Sequence, residues 1–315
     1  MRKARPSGIE RLESFLVKLI QEKGADRDQS GPINALLALL KGLSCVFAGI
    51  VCVRHCLYRF GIMRRYPLGI QVISIGNVTA GGTGKTPVTE IFARTLAAEG
   101  RKVAILSRGH RNKPRPLMER IRAFFSNDID VIPPRLVSDG SHVLLNSSEA
   151  GDEPYMLARN LLSKNGLPGA MVVVDHDRFK GGTFAIRNGA DTLILDDGFQ
   201  YLRLRPWTNI MLVDSTDPFH NHEILPAGML REPIENMRRA DYIFLTKSTG
   251  NGKFEHLKLF LKRHNPQAEI IECNHVPCHF ENVSNPDDIL PLEAISGKKI
   301  AAISAIARPG SFENY

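Results

Sequence analysis

A chain of 315 residues with 43% apolar content is long enough for about two ordinary domains and too rich in core formers to be intrinsically disordered. Its formal charge of +8 and pI near 9.3 favour anionic partners such as phosphates or lipid headgroups, whereas basic repeats interleaved with aromatics and nucleic-acid-binding motifs are missing, so no nucleic-acid partner is expected. Five cysteines (Cys45, Cys52, Cys56, Cys273 and Cys278) make no even framework, which suits reduced thiols in a cytosolic setting.

Residues 1–32 are polar, and the first apolar run begins only at Ile33, too late for a cleavable secretion signal. From Ile33 to Phe60 the chain reads INALLALLKGLSCVFAGIVCVRHCLYRF. As a helix this segment is about 42 Å long, enough to span a bilayer, but Lys41, Arg54 and Arg59 make it a marginal span. Basic residues that snorkel toward anionic headgroups favour an anchor lying in or partly inserted into the membrane. A buried amphipathic helix of a soluble protein is the plainer alternative.

After Pro67, short apolar runs alternate with helical patterns. Strands are expected at Val72–Ile75, Lys102–Leu106, Met171–Asp175, Thr192–Leu195, Ile210–Val213, Tyr242–Leu245, Glu269–Glu272 and Lys299–Ser304. Helices are expected at Thr86–Glu99, Pro154–Leu162, Ile234–Arg239 and Phe254–His264. This order predicts an α/β protein of the P-loop NTPase type, with a mostly parallel sheet covered by helices on both faces. Three parts are expected: a polar segment with an anchor helix over 1–66, a P-loop core over 67–240, and a smaller, incomplete α/β part over 241–315. The proline-containing stretch Asn112–Ser148 and the connection Asp214–Pro233 read as long excursions.

Thr79-Ala80-Gly81-Gly82-Thr83-Gly84-Lys85-Thr86 follows the first strand and opens the first helix of the core. Glycines there let backbone N–H groups close around phosphate, Lys85 can reach the β- and γ-phosphates, and Thr86 can ligate Mg²⁺. The pattern departs from the usual phosphate loop at Thr79, where glycine is common. A chance glycine turn would not explain the flanking strand and helix.

Asp196 and Asp197 close a buried strand, where a carboxylate pair beside a phosphate loop can hold Mg²⁺; an Asp-Gly turn is the simpler reading. In Glu149-Ala-Gly-Asp152-Glu153-Pro, one acid would suffice to cap a helix, and Asp152 is a candidate general base toward an alcohol. Arg178 and Lys180, in a glycine-rich loop, and Gln200 are weaker candidates for holding the acceptor, and Arg231 offers a cation to the transferring phosphoryl group. Cys273, His275, Cys278 and His279 have a spacing that matches no usual structural zinc pattern.

IGNVTAGGTGKTP, ILSRGHRNK, EAGDEPYMLA, DRFKGG, LILDDGFQ, LPAGMLREP and RRAD resemble, in order, the signature segments of the tetraacyldisaccharide 4'-kinase family (LpxK), and the early apolar helix is similar to that family's membrane anchor. The resemblance implies ATP- and Mg²⁺-dependent phosphorylation of the 4'-hydroxyl of an acylated glucosamine disaccharide 1-phosphate in lipid A biosynthesis, at the cytoplasmic face of the inner membrane. It further implies Lys85 and Thr86 as the phosphate-loop pair, Asp196 and Asp197 as the metal pair, Asp152 as the base, and Arg231 and Glu232 as positions near nucleotide and metal. Tyr201 stands where the family usually has histidine, and the family's later histidine segment, partner of the catalytic aspartate, has no counterpart, so the chain reads as shortened. A soluble P-loop kinase or ligase and a nucleotide-switched partitioning ATPase remain the alternatives at this point.

Overall fold

The structure, a computed structural model, describes residues 31–109, 129, 132–164, 166–248, 254–274, 276–283, 285 and 288–303. Its sheet takes, in chain order, β1 (Gln71–Gly76), β2 (Val103–Ser107), β3 (Arg135–Ser138), β4 (Met171–Val174), β5 (Thr192–Asp196), β6 (Thr208–Asp214), β7 (Tyr242–Thr246) and β8 (Glu269–Glu272). In space the order is β3-β4-β2-β5-β1-β6-β7-β8, and only β3 runs antiparallel to its neighbour. The helices are α1 (Gly31–Arg59), α2 (Lys85–Ala98), α3 (Ser147–Ala150), α4 (Asp152–Asn160), α5 (Arg178–Arg187) and α6 (Glu255–His264), with 3₁₀ turns at Ile234–Arg239 and Leu292–Ile295. Strands β9 (His279–Glu281) and β10 (Ile289–Pro291) form a separate antiparallel pair.

The central strands read as continuous apolar runs because both faces are covered. On β1, Ile73 and Ile75 pack with Ala93 and Ala97 of α2 and Leu157 of α4, while Val72 turns the other way toward Leu193 and Leu195 of β5 and Ala185 of α5. A third cluster joins Met211 and Val213 of β6, Ile243 and Leu245 of β7, and Leu261 of α6.

Several expectations change. Strand β7 pairs with β6 in parallel from Ile210↔Tyr242 to Asp214↔Thr246, so the region after residue 240 continues the sheet of the core rather than starting a separate part. The free main-chain edge of β6 decides this, and hydrophobic runs alone do not report which edge a strand will take. Arg135–Ser138, read as part of an excursion, is an edge strand. Arg178–Arg187, read as a loop, is α5; Asp177 caps it by accepting from Phe179 N and Lys180 N. Its Gly182 lowers helix propensity, but a Cβ there would lie 2.5 Å from Leu68 Cδ1 and 3.1 Å from Leu193 Cδ1, so the close packing favours the glycine. Lys299–Ile303 forms no strand. Residues 1–30, the His110–Lys113 part of the ILSRGHRNK motif, His275 and Ser304 lie outside the described residues.

Helix α1 lies along the core rather than apart from it. Leu40, Ser44 and Tyr58 face the protein and are buried. Ser44 Oγ donates to Ile224 O (2.8 Å) and accepts from Ala227 N (2.9 Å). Leu39, Leu43, Val46, Ile50 and Val53, spaced three or four residues apart, form an exposed apolar stripe turned away from that face.

Candidate active site

At the carboxyl end of β1 the chain turns through Asn77–Gly84, and Lys85 becomes the first residue of α2. Gly81 (φ 136) and Gly84 (φ 77) take positive φ values that side chains disfavour, which aims the turn into the helix N-terminus. Asn77 braces the loop from within: Nδ2 donates to Thr83 Oγ1 (2.9 Å) and Thr79 Oγ1 (3.3 Å), and Oδ1 accepts from Lys85 Nζ (3.3 Å). Thr246, at the end of β7, donates to Thr83 O (3.0 Å).

Asp196 ends the neighbouring strand β5, beside this loop. Its carboxyl is buried, accepts from Ser107 Oγ (3.4 Å), and is pushed up to about 6 by that burial and by the negative charges of Glu153 and Asp197. Asp197 takes the opposite course. Burial pushes it up, but Lys85 (3.7 Å) and Arg231 (2.7 and 2.9 Å) outweigh this and hold it below the usual carboxylate range. One carboxylate of the pair is thus neutralised by cations, while at the other burial and the neighbouring carboxylates outweigh the pull of Lys85 and Arg178.

Arg231 arrives from a segment whose contact with the phosphate loop the sequence did not announce. The connection after β6 folds back beside the loop: Thr79 bridges Leu230, Ala80 N donates to Met229 O (2.6 Å) and Arg231 N to Val78 O (2.8 Å). Glu232, next in chain, points elsewhere. It is 1% exposed, and its carboxylate accepts from Gln200 Nε2 (2.8 Å), Asn236 Nδ2 (2.9 Å) and Arg239 Nη2 (2.9 and 3.0 Å), with His55 Nε2 at 3.2 Å. Burial raises this carboxyl, but the His55 hydrogen bond and the Arg239 charge bring it below its ordinary value. The metal-ligand role expected for Glu232 therefore meets a carboxylate whose two oxygens are already engaged by donors. Gln200 also donates to Asn77 O (2.7 Å), so it braces the loop, and its placement answers to that structure rather than to an acceptor.

Asp152 and Glu153 occupy the first turn of α4, after Gly151 (φ 93). Asp152 is exposed and has no hydrogen-bond or ion-pair partner among the described residues. Arg178 and Lys180 are buried in the first turn of α5. The Arg178 guanidinium sits 5.1 Å over the Tyr201 ring, and its buried Nε has no hydrogen-bond partner. Tyr201 OH donates to Asp177 Oδ1 (2.7 Å), and burial with that bond pushes its ionisation up, so it stays a neutral donor holding the residue that caps α5.

Thr86, at the start of α2, and Asp196, at the end of β5, carry the oxygen donors that Mg²⁺ takes, and a buried carboxylate beside the negative charges of Glu153 and Asp197 invites a hard cation. Among the described residues no group of three His, Cys, Asp or Glu could hold a metal, and His275 of the Cys273–His279 cluster lies outside them.

A parallel sheet with a glycine loop, its lysine and a carboxylate pair at adjacent strand ends defines a P-loop phosphotransferase. A family model described as Tetraacyldisaccharide-1-P 4'-kinase matches residues 36–315, and the chain belongs to that family. It is 36% identical to the Tetraacyldisaccharide 4'-kinase of Geobacter metallireducens over 88% of this chain and 73% of the relative. It is 37% identical to that of Pelobacter propionicus over 90% of this chain and 71% of the relative. A crystal structure of LpxK from Aquifex aeolicus in complex with ATP superposes with a TM-score of 0.68 and 28% identity, covering 89% of this chain and 77% of that one. The chain is accordingly an ATP- and Mg²⁺-dependent kinase of lipid A biosynthesis with an alcohol acceptor.

Proposed function

We propose that these residues transfer the γ-phosphoryl group of ATP to the 4'-hydroxyl of a tetraacylated glucosamine disaccharide 1-phosphate presented from a membrane surface. The observation that carries this reading is the convergence of Lys85, Arg231, Asp196 and Asp197 at one strand end, with the unpartnered Asp152 on an adjoining helix turn.

Thr79 to Thr86 wrap the phosphates, and the α2 N-terminus and Lys85 stabilise charge on the β- and γ-phosphates. Thr86, Asp196 and Asp197 would hold Mg²⁺, which would neutralise phosphate charge. Arg231, held by Asp197, offers its guanidinium to the phosphoryl group in flight. Asp152 accepts the proton of the attacking hydroxyl; nothing described competes for its oxygens. Glu153 adds negative charge beside Asp196 and so favours a cation there. Glu232 and Gln200 hold Arg231 and the loop in register. Arg178 and Lys180 are placed to meet a phosphate or hydroxyl of the acceptor.

Membrane attachment follows from α1: it is long and apolar enough to cross a membrane, yet one face is fixed to the core and the apolar stripe faces out. Such a helix lies in the interface. Placement at the cytoplasmic face of the inner membrane follows from the need for ATP. The test is incubation of the protein with γ-labelled ATP and tetraacyldisaccharide 1-phosphate in mixed micelles. Label should enter the lipid at the 4' position, and Lys85→Ala and Thr86→Ala should abolish it while the fold persists. Wild-type-like turnover in either variant would refute the phosphate-loop assignment.

A further inference from the structure

We propose that a basic groove beneath the carboxyl end of α1 binds the phosphodiester headgroup of an anionic glycerophospholipid, at a site separate from the one that does chemistry. The groove encloses about 1190 Å³ between the last turns of α1, the chain after it, and the 3₁₀ turn before β7. Arg59, Arg64, Arg65, Arg205, Arg238 and Arg239 line it, opposed by a single carboxylate, Glu235.

Arg239 is spent on Glu232. The other five have no carboxylate partner among the described residues: Arg65 rests over the Tyr58 ring at 5.8 Å, and Arg238 donates to His264 O (3.3 Å). Guanidinium groups crowded in this way repel one another: burial above all, and then Arg65 and Arg54, lower the proton affinity of Arg239. A bound anion removes that repulsion and meets planar donors suited to phosphate oxygens.

The groove meets the catalytic network through His55, Asn236 and Arg239, which bond Glu232, and its remaining arginines lie away from that carboxylate. Arg205 precedes β6, and Arg238 and Arg239 precede β7, so the groove opens at the amino ends of strands whose carboxyl ends carry the phosphate loop's neighbours. Two surface features indicate that the anion is carried by a lipid. Phe60 (74% exposed) and Ile62 (71% exposed) project beside the groove at the end of the apolar helix. Trp207, two residues after Arg205, is 75% exposed, and an exposed indole beside arginines suits the headgroup level of a bilayer. The inference rests on the reading that α1 lies at a membrane.

Trp207 is the only tryptophan in the chain, so its fluorescence reports on this rim alone. The full chain is titrated with phosphatidylcholine vesicles, with and without phosphatidylglycerol, and co-sedimentation and the Trp207 emission are followed. Wild type should bind both vesicles, bind those with phosphatidylglycerol far more tightly, and shift its emission to the blue on them. The triple variant Arg64→Gln, Arg65→Gln, Arg238→Gln should lose about 10²-fold of that preference, at roughly fivefold per basic residue near an anionic surface. It should keep its binding to phosphatidylcholine. A control triple, Arg159→Gln, Lys298→Gln, Lys299→Gln, removes the same charge elsewhere and should keep the preference. Equal losses in the two triples, or no phosphatidylglycerol preference in wild type, would overturn the groove while leaving the anchor standing. Failure of wild type to bind either vesicle would overturn the anchor and the groove with it.

Discussion

Replacing Glu232 separates two accounts of the same residue. Sequence resemblance makes it a position near the metal, whereas the structure makes it the hub of a buried network reached by Gln200, Asn236, Arg239 and His55. Glu232→Ala leaves the Arg239 guanidinium, itself largely buried with an unpartnered Nε, without its counter-charge. Removing one partner of a buried ion pair costs about 3–5 kcal/mol. At about 2–4 °C per kcal/mol for a protein of a few hundred residues, the unfolding midpoint should fall by roughly 6–20 °C. Glu232→Gln keeps the shape but turns an amide NH₂ toward groups that already donate, so it should fall by an intermediate amount. Thermal unfolding in a chelator gives the stability change, and Mg²⁺ titration of the initial rate at a temperature where the variant is folded gives the metal dependence. A network hub predicts a large midpoint shift with the Mg²⁺ requirement little changed. An unchanged midpoint together with a many-fold higher Mg²⁺ requirement would refute the network account and return Glu232 to the metal.

Asp152→Asn should slow phosphoryl transfer about 10²-fold or more in single-turnover assays, with little change in ATP affinity or stability, because its side chain is exposed and unpartnered; an active variant would remove Asp152 from proton transfer. Asp196 is pushed up to about 6, above its unfolded value of 3.8, so the folded state holds that proton more tightly. Without metal, its contribution to stability is fully present below about pH 4 and is lost as pH rises through about 6. Chelator-treated wild type should therefore lose stability from pH 4 to 7 relative to Asp196→Asn, and parallel pH profiles would contradict the assignment. On α1, Leu43→Glu with Ile50→Glu places charge on the outward stripe and should release the protein from phosphatidylcholine vesicles with the midpoint nearly unchanged, whereas Ser44→Ala, which loses Ile224 and Ala227, should lower the stability by about 1 kcal/mol and leave binding intact. Sedimentation and thermal melts of the two variants check both halves.

What the sequence settles by itself is local chemistry with a fixed spacing. Gly81, Gly84, Lys85 and Thr86 are legible because a phosphate loop is built from consecutive residues between one strand and one helix, and each glycine has a backbone reason. The inner strands of the sheet are legible because burial on both faces leaves uninterrupted apolar runs, whereas the edge strand β3 is not, and the length and composition of α1 mark it as an apolar helix before any contact is known. Tertiary structure decides what lies between distant segments. The bond from Arg231 to Asp197 spans 34 residues, and that from Arg54 to Gln200 O spans 146. Only the folded chain shows that Asp197 is neutralised while Asp196 is not, since burial and neighbouring charges, not residue type, set the difference. Only there does α5 emerge from a glycine-rich run, because Gly182 answers to the close approach of Leu68 and Leu193 rather than to helix propensity. The same holds for Glu232: sequence places it beside Arg231, but side-chain direction sends Arg231 to Asp197 and Glu232 toward Arg239 and His55 of α1, with Gln200 bonded to both.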